Sequence, residues 1–266
     1  QKKLRKINHM MALDETLEKL YSDRPLEVQK YIANLSSVFV YLTIKYSEKN
    51  SIQAAYFPYI IKKYKVFKGM AISLVTESLT ELVKDTNLYC RENALQALYS
   101  IGDADSIVNA LKIIDKNGSF HHTKMLTDGL LTFAGDKEIL DKKLWENFNK
   151  FSNPLKQAIL DYFRFSSDRH AEKMLNIMND ENENQELRFS AIRYFAKYKY
   201  EKALPYLYEF ASKDSPIWEY KAITATALGN YPAERTEELL KAMLCNLNWY
   251  VRYNASDSLE RLGVKY

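Results

Sequence analysis

The chain has 266 residues, of which 47% are hydrophobic and 27% charged, with seven glycines and six prolines. That balance excludes a disordered chain, and so little glycine and proline argues against a strand-and-turn fold. Thirty-eight basic against 34 acidic residues, a formal charge of +4 and a pI near 8.7, describe a mixed solvated surface. A dedicated nucleic-acid domain carries a larger and more clustered basic excess.

Leu4, Ile7, Met10, Leu13, Leu17 and Leu20 recur at spacings of three and four, which predicts an amphipathic helix over 4–21. Ser22 to Pro25 stops it, and Pro25 suits the first turn of a second helix over 26–47. That helix is apolar on more than one face and is expected to pack from two sides. Asn50-Ser51 reads as a cap opening a third helix, which Pro58 is expected to kink or shorten and Gly69 to end. A fourth follows over 70–84. The longest apolar run, Val38 to Ile44, falls far short of the ~20 residues that span a bilayer, so no membrane insertion is expected. Lys2, Lys3, Arg5 and Lys6 admit two readings: a solvated helix start, or the basic flank of a membrane anchor upstream of Gln1. The second would tether a cytoplasmic domain.

From Asp85 a repeat is explicit. The turn Gly102-Asp103 recurs as Gly135-Asp136 and Ser167-Asp168, at shifts of 33 and 32. The same register aligns Arg91, Lys124, Lys156, Arg188 and Arg252, with Glu219 in the remaining slot. Three positions beyond sit Ala94, Thr127, Ile159, Ala191, Ala222 and Ala255. Each copy reads as a first helix, a short turn and a second helix, and such a hairpin buries its apolar face only by stacking on its neighbours. The expected fold is therefore all-α: an α-solenoid of antiparallel helix pairs with a divergent N-terminal helical cap. The expected division is 1–84 for divergent helices packed on the solenoid, and 85–266 for repeats ending in a half-repeat.

In the run Arg91-x-x-Ala94-x-x-x-Leu98, the Gly-Asp turn and Ala203-Leu204-Pro205, the chain resembles HEAT-like repeat proteins of the short bacterial type. The resemblance implies a structural ladder in which a residue six before the basic position pairs with it and ties repeats together: Asp85 with Arg91, Asn182 with Arg188, Asn246 with Arg252. The fifth copy departs from it, with Asp214 in place but Glu219 and Tyr220 at the basic slot. The resemblance also implies that second helices line a concave surface. In this register that lining is Asn109, Lys112, Lys142, Trp145, Lys173, Asn176, Tyr206, Glu209, Glu238 and Lys241.

Chemistry-bearing motifs are sparse. The four histidines include the adjacent His121-His122, which reads as a helix start after Asn117-Gly118 and not as a metal site; no metal and no cofactor are expected. Cys90 and Cys245 read as reduced, buried or half-buried thiols. No phosphate loop, nucleophile elbow or His-Glu helix motif occurs. Twenty tyrosines stand out, most expected to be core with wet hydroxyls. The expectation is a non-enzymatic scaffold, not an enzyme, gripping a protein or peptide partner on the concave face through these aromatic and charged residues. The alternative is a nucleic-acid-binding helical-repeat protein of the alkylpurine DNA glycosylase type, motivated by Lys112, Lys142, Lys173 and Lys241.

Overall fold

The computed structural model describes residues 2–118, 121–213 and 215–265. Among them are sixteen α-helices and no strand. The helices gather into two compact units, Gln1–Ser152 and Asn153–Tyr266, each built of antiparallel helix pairs stacked as an α-solenoid.

The first unit opens with a 3-10 turn, Lys3–Arg5, then α1 (Ile7–Asp23), α2 (Pro25–Asn34) and α3 (Ser36–Ser47). The single helix expected over 26–47 is two, because the backbone at Leu35 leaves the helical region (φ −94°, ψ 3°). The break lets one apolar stretch turn between neighbours. Helix α4 (Ser51–Tyr64) starts where expected, with Asn50 Oδ1 accepting from the Gln53 amide at 3.0 Å. It runs unbroken through Pro58, against expectation. Pro58 removes one helical donor, but Phe57, Ile60 and Ile61 around it are fully buried, and that packing outweighs the loss.

Helix α4 ends at Lys65, not Gly69. Lys65 takes the left-handed conformation (φ 51°), and the Val66 amide reaches back to the Ile61 carbonyl at 3.1 Å while its side chain is buried. This is a Schellman-type stop that needs no glycine once the following apolar contact holds it. Helices α5 (Ser73–Leu82), α6 (Leu88–Ile101), α7 (Ala104–Lys116), α8 (Thr123–Leu131) and α9 (Lys137–Asn147) complete the unit. First helices α4, α6 and α8 pack in one row, and α3, α5, α7 and α9 in the other. Helices α4 and α5 thus occupy the same two places as α6 and α7, although their sequence repeats only loosely.

The Gly-Asp turns explain themselves in space. Gly102 is left-handed (φ 86°), and a Cβ there would lie 2.6 Å from the Gly135 nitrogen. Successive turns touch backbone to backbone, and the aspartates then cap the second helices, Asp103 to the Ser106 amide and Asp136 to Glu138 and Ile139.

The second unit comprises α10 (Asn153–Ser166), α11 (Ala171–Asn179), α12 (Gln185–Phe195), α13 (Leu204–Ser212), α14 (Trp218–Leu228), α15 (Glu234–Met243) and α16 (Trp249–Arg261). Helices α10, α12, α14 and α16 form one row, α13 and α15 pair in the other, and α11 packs on α12. Two tyrosine hydroxyls here, expected from the sequence to be wet, are instead bonded to the turn of the preceding repeat. Tyr194 Oη donates to the Ser167 carbonyl (3.0 Å) and accepts from the His170 amide (3.1 Å), and Tyr231 Oη accepts from the Tyr200 amide (2.9 Å). Both thiols are free; Cys90 is buried but Cys245, in the loop after α15, is exposed, which corrects the expectation of two sheltered cysteines. No helix of the described residues is long and apolar enough to cross a membrane.

Candidate recognition surface

The basic-position residues bond differently from a side-chain ladder. Arg91 Nη1 donates to the Asp85 and Thr86 carbonyls, both at 2.9 Å, and Arg252 Nη1 donates to the Asn246 and Leu247 carbonyls at 2.7 and 2.8 Å. In each case the six-before partner is met through its backbone. Arg188 donates to the Met178 carbonyl (3.1 Å) instead of to Asn182. Asp214 lies outside the described residues.

These arginines brace a short loop of common design. Asp85 and Asn246 accept from the amide two residues on, and Asn87 and Asn248 then cap α6 and α16. The ties between repeats come from residues the sequence reading passed over: Asn93 Nδ2 donates to the Ala55 carbonyl (3.0 Å), Asn254 Nδ2 to Ala222 (2.8 Å) and Ser258 Oγ to Ala225 (2.8 Å). Asn93 and Asn254 both stand two past the arginine, a signal the register already contained.

The ten lining candidates all sit on outward faces of second helices. Asn109 and Lys112 on α7 are exposed, as is Lys142 on α9, while Trp145 is half-buried with its ring 5.0 Å from Phe148. In the second unit Lys173 and Asn176 on α11, Tyr206 and Glu209 on α13, and Glu238 and Lys241 on α15 are exposed. Lys241 pairs loosely with Glu237 at 3.8 Å. None of these residues forms a cluster with a distinct chemistry.

The distinct surface of the second unit lies elsewhere, at the N-terminal ends of α14 and α16. Trp218 opens α14, and Trp249 and Tyr250 open α16 directly after the Asn248 cap. Because the two helices are neighbours in one row, their first turns bring four rings into an unbroken series. Trp218 stacks on Tyr250 (5.4 Å, 15°), Tyr250 meets Trp249 edge-on (5.1 Å, 77°), and Trp249 stacks on Tyr253 one turn later (5.0 Å, 19°). Trp249, Tyr250 and Tyr253 are each more than half exposed, and Leu247 beside them is 99% exposed. Behind this series, on the same α14, Tyr220 is buried between Phe189 and Phe210, with the Arg188 guanidinium over the Tyr220 and Phe210 rings. Burial raises the Tyr220 hydroxyl's pKa, partly offset by Arg188. A rigid aromatic base therefore carries a row of solvent-facing rings.

His121 and His122 behave as expected of a helix start. His122 caps α8, and buried His121 is held by Arg91 Nε on one ring nitrogen and by Glu92 on the other. Among the described residues no group of three or more His, Cys, Asp or Glu side chains is gathered to hold a metal.

No family model matches the chain, and no curated protein matches it. Among solved structures it is similar to human deoxyhypusine hydroxylase in complex with glycerol, at 14% identity over 96% of this chain and 98% of that one, with a TM-score of 0.39. It is also similar to an engineered protein (18%, 85% and 96%, TM-score 0.30) and to a designed armadillo repeat protein (16%, 93% and 98%, TM-score 0.24). The first of these is an enzyme, so a helical-repeat fold does not by itself imply a purely non-enzymatic scaffold, and that expectation is withdrawn. What the chain shares with them is the helical-repeat fold.

Proposed function

We propose that this chain is a HEAT-type repeat protein that recognises a segment of another protein through the aromatic row of its second unit. The observation that carries the reading is the row itself: four rings in successive contact, with Leu247 wholly exposed at its edge. Soluble surfaces rarely expose contiguous apolar area of this kind without a partner to cover it. Tryptophan and tyrosine are also the residues that dominate binding energy at such contacts, because they offer large rigid area at low entropic cost. Arg252, between Tyr250 and Tyr253 in the chain, has its Nη1 committed to two loop carbonyls.

The test is selection of binders from a random displayed-peptide library against the full chain, followed by titration of the best binder into the Trp249→Ala/Tyr253→Ala variant. Loss of two ring anchors is expected to weaken binding by about 2 kcal/mol or more, at least thirtyfold. Undiminished binding by a normally folded variant, or preference for a single-stranded oligonucleotide over every selected peptide, overturns the reading.

A further inference from the structure

The first unit holds a cleft that the aromatic row does not account for. It lies between α4 and α6, has a volume of about 310 Å³, and is lined by Ile52, Ala55, Tyr56 and Tyr59 on one side and Asn87, Tyr89 and Asn93 on the other. Ile52 and Tyr89 stand at its mouth, 78% and 77% exposed. Its floor is fixed. The Tyr56 hydroxyl donates to the Asp14 carboxylate (2.7 Å), the Tyr56 and Tyr59 rings lie 5.6 Å apart, and the Lys63 ammonium sits over the Tyr59 ring.

Each of the two side-chain amides in this lining has one atom with no protein partner among the described residues, and hydrogen bonding fixes which. Asn87 Oδ1 accepts from the Cys90 amide as the cap of α6, which leaves its Nδ2 as a spare donor. Asn93 Nδ2 donates to the Ala55 carbonyl, which leaves its Oδ1 as a spare acceptor. No lining side chain is charged. One donor and one acceptor among three phenol rings and an isoleucine match one peptide unit, whose C=O accepts from Asn87 and whose N–H donates to Asn93, flanked by an apolar ring. An anion would find no countercharge among the lining side chains. A prolyl ring stacks flat on tyrosine, and a polyproline segment arrives already extended, so little entropy is lost on docking.

We propose that this cleft is a binding site for an extended, proline-containing protein segment. It goes beyond the reading of the aromatic row, since it is carried by other residues of the other unit, and either can stand without the other.

A fluorescent, proline-rich peptide blocked at both ends, titrated into the full chain by anisotropy, tests it. Two variants probe the site without attacking the fold: Tyr89→Ala removes a rim side chain, and Asn87→Asp keeps the capping oxygen but deletes the donor. Each is expected to weaken binding about tenfold or more, while the Trp249→Ala/Tyr253→Ala variant leaves this titration unchanged. No saturable binding, equal affinity for a peptide with its prolines replaced by glycine, or equal affinity for a neutral oligosaccharide overturns the proposal. So does loss of binding only in the Trp249→Ala/Tyr253→Ala variant, an outcome that would leave the aromatic-row reading standing.

Discussion

Asp14 shows how one residue holds an end of the fold in place. Its side chain, 9% exposed, receives Lys63 Nζ at 2.8 Å, Tyr64 Oη at 2.6 Å and Tyr56 Oη at 2.7 Å, joining α1 to α4. Burial alone would raise its pKa, but the hydrogen bonds from Lys63, Tyr64 and Tyr56 outweigh that and hold it below the ordinary carboxylate value. The linkage sign follows: a depressed folded pKa contributes stability above the unfolded carboxylate pKa, and loses it as pH falls through the folded value. Asp14→Asn is expected to cost about 3 kcal/mol near neutral pH, because it leaves Lys63 and two tyrosine hydroxyls poorly matched. In urea melts at pH 7 and at pH 3, the gap between wild type and variant should narrow at the lower pH. A gap that stays constant with pH would show that the carboxylate's charge is not what holds α1.

At the scale of elements, repeats are joined by side-chain hydrogen bonds to the backbone of the preceding repeat, in its first helix or its turn. Tyr231 is 1% exposed and follows α14; its hydroxyl holds the Tyr200 amide, the entry to α13. Tyr231→Phe preserves the ring and strands that amide, so a loss of about 1–2 kcal/mol is expected in thermal or urea melts of the full chain. Tyr206→Phe, at an exposed hydroxyl on α13, is the matched control and should change little.

These ties explain what could be read beforehand. The period is visible because each pair must present the same apolar face to two neighbours, so Arg91, Ala94 and Leu98 recur in Arg252, Ala255 and Leu259. The break at Leu35 and the stop at Lys65 were hidden because tertiary packing, not a glycine or proline, decides them. The aromatic row was hidden for a different reason: Trp218 and Trp249 are far apart in sequence and meet only because the first turns of α14 and α16 stand side by side. The spare amides of Asn87 and Asn93 were hidden too, since only the bonds each makes on its other side reveal which atom remains free.

For the molecule as a whole, the two thiols offer a reporter and its control: buried Cys90 reports opening of the first unit, and exposed Cys245 reports the reagent alone. Cys90 lies at 0% exposure on α6, with its pKa pushed up to about 12 by burial and then by the nearby Asp85 carboxylate. Only the thiolate reacts, so Cys90 is protected both sterically and chemically, whereas Cys245 is open to solvent. A thiol reagent is therefore expected to titrate one cysteine rapidly in the native protein and the second only as the first unit opens. In a stacked-repeat fold a local defect lowers the stability of its own neighbourhood first, since each helix pair contacts only its neighbours. Asp14→Asn loosens α1 from α4, and α4 covers α6, so Cys90 labelling should accelerate in that variant at pH 7 while Cys245 labelling keeps its native rate. Site-resolved mass spectrometry separates the two rates. Cys245, already exposed, controls for the reagent; Cys90 labelling no faster than in the wild type would mean that the opening which exposes α6 does not depend on the Asp14 tie.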